Sequence, residues 1–324
     1  MIEHLISDNT KRELLQKSRI HKVSSYFNAH LSFDNLYMKR EDEIGAGLGG
    51  SKSRKHASIV DAINKQKPDI VVVEGSAQSN NVLAVSSLFS SMQIPFKIAC
   101  PEAKSANKGN AIWLDAISEK NAFIQIGQTS GMPTEYYQEL LKVNNVYVIK
   151  EGAAQIDAIP GLLGLSSEII AFEMSEEVCF ERIFIDAGTG ISAIGLLIGL
   201  ALLGRSDVDI VITLIAGDEN SFEQLLNEIV NEFNTIHNQA IEVAGMNYKL
   251  LKPKISRSFG SINRTLIKEW RIMMCELGMA IDIIYTSKHF YTIKQVLELE
   301  EHDGTTLIIN GASPLAARNF SHLL

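Results

Sequence analysis

The sequence contains little cysteine, and its three cysteines lie far apart. Cys100, Cys179 and Cys275 have neither the spacing of a zinc ligand set nor the even number expected of a disulfide framework. The eight histidines are scattered, and no two have the spacing that places metal ligands on one helix face. These absences argue against a disulfide-stapled scaffold, predict no metal centre and are typical of a reduced intracellular protein.

Excess positive charge and long apolar runs are also missing. The chain has 30 Lys and Arg against 38 Asp and Glu, a net charge of −8, and no basic tract, so we expect no nucleic-acid partner. The longest apolar run, 193–203, is about half of the roughly 20 residues that a membrane span needs. The first residues are polar and charged, unlike a secretory signal. We therefore expect a cytoplasmic protein without membrane association.

Proline is scarce, with seven residues, and few breaks interrupt an alternation of short apolar runs with amphipathic stretches. This alternation is typical of an α/β fold with largely parallel, open sheets flanked by helices. At 324 residues the chain should form about two domains. The apolar runs predict strands at 36–39, 70–73, 96–99, 146–149, 182–185, 210–213 and 306–309. Helices are predicted near 53–66, 80–92, 107–119, 134–143, 161–176, 192–204, 219–235, 263–277 and 289–299.

A lysine in a glycine-framed turn is the first candidate for chemistry. In 49–55 (Gly-Gly-Ser-Lys-Ser-Arg-Lys), Lys52 stands at the predicted start of a helix. A lysine with a pKa of about 10.4 is a poor nucleophile at neutral pH, but burial or a neighbouring cation lowers that pKa. Lys55 shares its helix face, and the glycines permit close approach of a planar ring. The segment alone is equally consistent with a solvated basic helix start.

Two loops that follow predicted strands can bind anions. In 188–192 (Gly-Thr-Gly-Ile-Ser), backbone N–H groups and two hydroxyls between a strand and a helix form a phosphate site. Ser79 and Asn80 stand at another helix start, where they could hold a substrate carboxylate or a ring hydroxyl. In isolation Ser79 is more simply an N-cap. An amine able to form an imine, together with a phosphate site, predicts pyridoxal 5′-phosphate.

The loop 188–192 also opens a dinucleotide fingerprint, Gly-x-Gly-x-x-Ala. A nicotinamide site would need an acidic residue at the end of the next strand, about 20 positions on. Asp207 and Asp209 precede that strand, and Asp218 follows it. The fingerprint is incomplete, and a nicotinamide enzyme would leave Lys52 without a role.

Two further segments lie near the C-terminus. Tyr285 could stack on a cofactor ring or donate a proton, although a half-buried tyrosine at a strand end is the commoner case. The segment 310–313 (Asn-Gly-Ala-Ser) follows the last predicted strand, at the usual ligand-binding edge of an α/β sheet.

Taken in order, these segments resemble the pyridoxal-phosphate family of 1-aminocyclopropane-1-carboxylate deaminase and D-cysteine desulfhydrase. The matching stretches run from about residue 36 to the C-terminus. They are Tyr37-Met-Lys-Arg-Glu-Asp42, Gly49-Gly-Ser-Lys-Ser-Arg-Lys55, Gln78-Ser-Asn80, Pro160-Gly-Leu-Leu-Gly164, Gly188-Thr-Gly190 and Ile284-Tyr-Thr286.

The resemblance implies the two-domain tryptophan-synthase-β-like fold, fold type II of pyridoxal-phosphate enzymes. A larger cofactor-binding domain would combine residues 1–55 with 165–324, and residues 56–164 would form a smaller inserted α/β domain. The cofactor would lie between them, and the protein would be a homodimer.

The resemblance also implies roles for individual residues, and none of these is a metal ligand. The catalytic residues would be Lys52, Ser79 and Tyr285. The cofactor would contact Lys52, Lys55, Asn80, Gly188, Thr189, Gly190, Ser192 and Thr286. The substrate would contact Gln78, Ser79, Asn80 and Phe259.

Departures from the family pattern concern the substrate. The deaminases place a glutamate near the pyridine nitrogen, where this chain has Thr286, as the desulfhydrases do; a carboxylate would keep that nitrogen protonated. Phe259 replaces a tyrosine, Asn81 a histidine or glutamine, and Ser51 an asparagine. The segment 310–313 replaces Thr-Gly-Gly-Ala.

The resemblance therefore implies a lyase of a small amino acid that yields a 2-oxo acid and ammonia by β-elimination, as D-cysteine desulfhydrase does. The alternatives are a 1-aminocyclopropane-1-carboxylate deaminase and a protein that binds the cofactor without turnover.

Overall fold

The computed structural model describes residues 2–8, 17–23, 26–27, 35–45, 48–100, 109–117, 123–125, 135–143, 145–256, 258–300 and 303–323. The strands, β1 to β10 in chain order, are Ile20–Lys22, Leu36–Lys39, Ile70–Glu74, Phe96–Cys100, Phe123–Gln125, Val146–Ile149, Arg182–Ala187, Asp209–Leu214, Tyr248–Leu251 and Thr306–Ile309. The helices, α1 to α9, are Lys52–Gln66, Asn80–Met92, Asn110–Ile117, Glu135–Val143, Ile159–Glu176, Ile191–Leu202, Glu219–His237, Arg264–Leu277 and Thr286–Leu299. Short 3₁₀ helices are Ile2–His4, Glu41–Glu43, Glu151–Ala153, Ile156–Ala158, Val243–Gly245 and Pro314–Leu323.

The strands form two sheets. The larger has the order β1-β2-β10-β7-β8-β9 and is parallel except for the edge strand β1, which pairs antiparallel with β2. The smaller is parallel throughout, in the order β5-β4-β3-β6. The predicted α/β class with largely parallel sheets is confirmed, and so is each predicted strand and helix, within a few residues at its ends.

Both faces of the larger sheet are covered, which explains the continuous apolar runs of its central strands. Along β7, Ile183 and Ile185 pack into a core with α5, α6 and α7, whereas Phe184 points to the other face and packs with α8 and α9. A third core covers the smaller sheet, with Ile59 of α1 and Leu114 of α3 among its members. Within the residues described above, no helix is long and apolar enough to cross a membrane.

Two helices run across the domain boundaries predicted from the resemblance. Helix α1 begins at Lys52 and continues past residue 55, and α5 begins at Ile159 and continues past residue 164. The strands of the smaller sheet lie within 56–164, and those of the larger sheet lie outside it. The division into 1–55 plus 165–324 and 56–164 stays a prediction.

Helices α1 and α5 approach each other at a glycine. A Cβ atom on Gly161 would lie 1.9 Å from the backbone oxygen of Arg54, so only glycine fits without moving one of the two helices. This contact holds the first turn of α1, which carries Lys52, against α5.

Gly161→Ala should therefore lower the free energy of unfolding by about 3 kcal/mol, the upper end of the usual overpacking range, because the obstructing atom belongs to backbone. Chemical denaturation measures this change. The control is Gly245→Ala, since a Cβ there meets open space, and its effect should stay within about 0.5 kcal/mol. Equal effects at the two glycines would show that the α1–α5 contact does not constrain the fold.

Candidate active site

A cleft of about 810 Å³ lies where the carboxyl ends of parallel strands from both sheets meet. Loops after β3, β7, β8 and β10 supply most of its wall. The cleft brings together nearly all of the residues singled out in the sequence. These are Lys52, Lys55, Gln78, Ser79, Asn80, Gly188, Thr189, Gly190, Ser192, Phe259 and Tyr285. Thr286 is the exception, because it is buried and does not line the cleft.

Lys52 begins α1 and faces the cleft with its amine 5.6 Å from the centre of the Tyr285 ring. The turn before it is held by the loop after β10, since the N–H of Ser51 donates to the Gly311 oxygen at 2.9 Å. Burial lowers the pKa of Lys52, and the carboxylates of Asp186 and Asp282 only partly oppose this effect. Lys52 therefore loses its proton more readily than a lysine in water.

Lys55 and Arg54 are also buried, with 4% and 1% of their surfaces exposed, so α1 does not begin as a solvated basic helix. The Lys55 amine donates to the backbone oxygen of Gly152. Gly152 in turn packs against Thr189, because a Cβ on it would lie 2.3 Å from the threonine methyl. Burial, reinforced by the charge of Lys52, lowers the pKa of Lys55 to about 7. Lys55 thus stands beside the loop 188–192, where a bound anion would favour its protonated form.

The pKa of Lys55 predicts how stability depends on pH in the cofactor-free protein. The folded-state pKa of about 7 lies below the ordinary lysine pKa of 10.5, so the unfolded chain binds more protons between these two values. The free energy of unfolding should therefore rise with pH across this window, by on the order of a few kcal/mol. Urea denaturation at about pH 7 and about pH 9 measures the rise.

The matched variants for this measurement are Lys55→Met and Lys65→Met. Lys55→Met should lose much of the rise, whereas Lys65→Met, at the exposed end of the same helix, should keep it. Identical slopes for the wild type and Lys55→Met would contradict the lowered pKa.

The loop 188–192 joins β7 to α6 and forms an anion site. Gly190 is the N-cap of α6 with φ of +96°, a left-handed conformation that favours glycine. It provides no capping side chain, and the first turn of α6 carries no acidic residue. The N–H groups at this helix start are therefore free to bind an anion, with the hydroxyls of Thr189 and Ser192 beside them.

The acidic residue that a dinucleotide site requires is absent from this place among the described residues. Asp218 instead caps α7, where it accepts hydrogen bonds from the N–H and the hydroxyl of Ser221. Asp209 pairs with Arg182. The phosphate loop therefore lacks the ribose contact of a nicotinamide enzyme.

The start of α2 forms the opposite part of the cleft wall. Ser79 is its N-cap, and the Ser79 hydroxyl accepts from the N–H groups of Asn81 and Val82 at 3.2 and 3.3 Å. Asn80 accepts from the Asn110 amide at 2.7 Å. The Asn81 amide nitrogen is buried without a hydrogen-bond partner in the described structure, although its oxygen bonds to His56 at 3.0 Å. This wall offers an unused N–H donor beside a capped helix start.

Tyr285 packs against the glycine of the phosphate loop, since a Cβ on Gly188 would lie 3.2 Å from the tyrosine ring. Burial raises the Tyr285 pKa, and the charges of Asp282 and Asp186 add to the increase, so the phenol keeps its proton. Phe259 meets this ring edge to face at 5.8 Å between centroids and is 59% exposed. Thr286 lies behind, where its hydroxyl donates to Asn310 at 3.2 Å.

Two carboxylates that interact with the charge of Lys52 also line the cleft, and neither was singled out in the sequence. Asp186 is the fifth residue of β7, and Asp282 lies three positions before Tyr285. Burial raises both pKa values, that of Asp186 to about 6, although the charge of Lys52 opposes each increase. A signal for Asp186 was present, because it follows three apolar residues of β7 and lies two positions before Gly188. Within the described ranges, no group of three or more histidine, cysteine or acidic residues is placed to hold a metal ion.

Comparisons with known proteins agree with the motifs. The chain is 24% identical over 285 residues to a putative 1-aminocyclopropane-1-carboxylate deaminase of Pyrococcus furiosus, covering 85% of this chain and 84% of the relative. It is 26% identical over 286 residues to the 1-aminocyclopropane-1-carboxylate deaminase of Cyberlindnera saturnus (84% and 82%). It is 22% identical over 264 residues to the D-cysteine desulfhydrase of Yersinia pestis (78% of each). The chain is a relative of these deaminases and desulfhydrases.

The fold of these relatives is shared as well. The crystal structure of a homologue of 1-aminocyclopropane-1-carboxylate (ACC) deaminase superposes with a TM-score of 0.77 at 20% identity. The superposition covers 95% of this chain and 94% of the homologue. Maize serine racemase superposes with a TM-score of 0.60 at 12% identity, covering 98% of each chain. The predicted fold type II architecture is confirmed. No family model matches the chain.

Proposed function

We propose that this chain is a pyridoxal-phosphate-dependent lyase of a small amino acid, which yields a 2-oxo acid and ammonia by β-elimination. D-cysteine or a related β-substituted amino acid is the proposed substrate. One observation carries the proposal: a buried amine, Lys52, shares a cleft with the uncapped helix start behind the loop 188–192. The named relatives support the reaction class.

The residues present fit the cofactor. The free N–H groups of the α6 start, Thr189 and Ser192 would hold its phosphate, and Lys55 would neutralise the phosphate charge. Lys52 would bind its aldehyde, beside the ring of Tyr285. When bound, pyridoxal phosphate supplies an electrophilic carbon and a ring that accepts the electrons released at Cα.

The chain's own residues then handle the substrate and its protons. Lys52, with a lowered pKa, accepts the proton from Cα once its amine is free. At the start of α2 the Ser79 hydroxyl already caps the N–H groups of Asn81 and Val82, so the donor left for the substrate carboxylate is the unpaired side-chain amide of Asn81. Tyr285 keeps its proton and can donate it to the departing group. Gln78, Asn80 and Phe259 line the substrate side.

The second candidate is a 1-aminocyclopropane-1-carboxylate deaminase, which the names of several relatives favour. Two features of this chain favour the lyase instead. Thr286 stands where the deaminases carry a glutamate, as in the desulfhydrases, and Phe259 carries no hydroxyl. A homodimer and a cytoplasmic location remain predictions from the sequence.

The test is an absorbance spectrum of the purified protein loaded with pyridoxal phosphate, before and after the addition of single amino acids. The panel contains D- and L-cysteine, other β-substituted amino acids and 1-aminocyclopropane-1-carboxylate, and released 2-oxo acid is assayed for each. Release from D-cysteine or a related acid would support the proposed lyase. Release from the cyclopropane acid alone would favour the deaminase. A visible band that no amino acid disturbs would favour a cofactor-binding protein without turnover, and no band would contradict the cofactor assignment.

A further inference from the structure

Asp186 faces the cleft near the end of β7 without a side-chain hydrogen-bond or ion-pair partner among the described residues. It is partly exposed to the cleft, between buried neighbours in the strand. In the part of the chain that the structure describes, its carboxylate makes no ion pair and no hydrogen bond with the side chain of another residue. A carboxylate left in this way beside a binding cleft is costly unless a ligand supplies the missing donor.

Asp282, the second cleft carboxylate that interacts with the charge of Lys52, already has hydrogen-bond partners. Its Oδ1 atom accepts hydrogen bonds from the N–H groups of Tyr285 and Thr286, and so it holds the start of α9. Asp282 is fully buried, and its Oδ2 atom is unbonded. Asp282 therefore has a structural task that Asp186 lacks.

The surroundings of Asp186 place it at the cofactor rather than at the rim. A Cβ on Gly311 would lie 3.3 Å from the Asp186 Oδ1 atom and 3.1 Å from the hydroxyl of Ser51, next to Lys52. Gly188, where the phosphate loop begins, follows two residues later on the chain. Asp186 thus lies inside the proposed cofactor site, beside the loop after β10, which contacts the turn before Lys52.

The electrostatics of Asp186 point to a cationic ligand. Burial raises its pKa to about 6, and the nearby charge of Asp282 adds to the increase, although Lys52 opposes both. A cation brought against this carboxylate would relieve part of the desolvation cost. Thr286 carries no carboxylate to pair with a cation, and its hydroxyl already donates to Asn310.

We propose that Asp186 is the carboxylate that pairs with the protonated ring nitrogen of pyridoxal phosphate in this protein. The pairing keeps the proton on the nitrogen and so maintains a strong electron acceptor, although residue 286 carries no carboxylate. The inference rests on the proposed function.

The direct test is nitrogen NMR of the protein loaded with pyridoxal phosphate carrying ¹⁵N in its ring. The wild type should give the chemical shift of a protonated pyridine nitrogen, and Asp186→Asn should move it to that of a neutral one. Asp282→Asn, the matched control, should keep the protonated shift. A neutral nitrogen in the wild type, an unchanged shift in Asp186→Asn or a change confined to Asp282→Asn would overturn the proposal.

A second measurement compares the affinity for pyridoxal phosphate with that for its 1-deaza analogue, which has carbon in place of the ring nitrogen. Asp186→Asn should weaken binding of pyridoxal phosphate by about ten- to a hundredfold, as for loss of a hydrogen bond to a charged group, and leave the analogue nearly unaffected. Retained binding of the analogue also shows that the variant is folded. Equal weakening for both ligands would contradict the pairing. Failure of the wild type to bind either ligand would overturn the proposed function itself, and the inference with it.

Discussion

Lys52→Ala will reduce turnover by at least about 10⁴-fold, the upper end of what a single acid–base group contributes, and will remove the visible absorbance of the lysine-bound cofactor. The reason is that Lys52 is proposed both to bind the aldehyde and to accept the Cα proton. Its amine is placed for both tasks, at the start of α1 and 5.6 Å from the Tyr285 ring centre. Steady-state kinetics and an absorbance spectrum of the loaded variant measure the two effects.

Variants of two other lysines of α1 test whether the effect is specific to Lys52 or follows from the loss of any positive charge on this helix. Lys65→Ala, at the exposed end of α1, should keep both activity and absorbance. Lys55→Ala should keep the absorbance at saturating cofactor but require more cofactor to reach it, because Lys55 stands beside the phosphate loop. Absorbance retained in Lys52→Ala and lost in Lys55→Ala would show that the wrong lysine was assigned.

Much of the fold could be predicted from the sequence because the strands of its sheet centres are short, continuous apolar runs. The strands β2, β6 and β10 begin and end where they were predicted. The strands β1, β5 and β9 were not predicted, and each lies at the edge of its sheet. Edge strands are covered less completely, so three or four residues such as Ile20–Lys22 carry no apolar pattern that distinguishes them from a loop.

In the candidate site, too, some residues could be predicted from local sequence patterns and others could not. Lys52 and the loop 188–192 could be found because their signals are local, a glycine turn before a helix and a glycine loop after a strand. The proposed role of Asp186 could not be predicted from the sequence. It depends on the absence of a side-chain partner for the carboxylate, and only the fold shows this. The family resemblance implied a cofactor contact for Thr286, which is buried and does not line the cleft. That contact stays a prediction.

The contacts of Arg54 likewise could not be predicted from local sequence patterns. From the sequence alone the segment 49–55 was equally consistent with a solvated basic helix start, but the Arg54 guanidinium is buried between two carboxylates of distant segments. It donates to Glu41 at 2.5 and 2.7 Å and to Glu168 at 2.8 and 2.9 Å. Lys39 also pairs with Glu168, at 2.7 Å. This cluster fixes the first turn of α1 from beneath, and therefore the position of Lys52.

Arg54→Met should lower the free energy of unfolding by about 3–5 kcal/mol, because it leaves the carboxylate of Glu41 buried without its main partner. Arg19→Met is the matched control: Arg19 makes a paired hydrogen bond to Glu43 at 2.7 and 2.8 Å, but it is 58% exposed. The loss there should not exceed about 1 kcal/mol. Chemical denaturation of both variants measures the contrast, and similar losses would mean that burial adds nothing to the Arg54 pair.

The pH dependence of this loss follows from Glu41. Burial alone would raise the Glu41 pKa, but Arg54 and Lys39 outweigh it and lower the pKa from 4.5 to about 2. Because the folded-state value is the lower one, the ion pair contributes its full stability above about pH 4.5 and loses it as pH falls towards about 2. The difference in unfolding free energy between the wild type and Arg54→Met should therefore shrink across this acid range. A difference that stays constant there would show that packing of the arginine stem, rather than its charge, stabilises the first turn of α1.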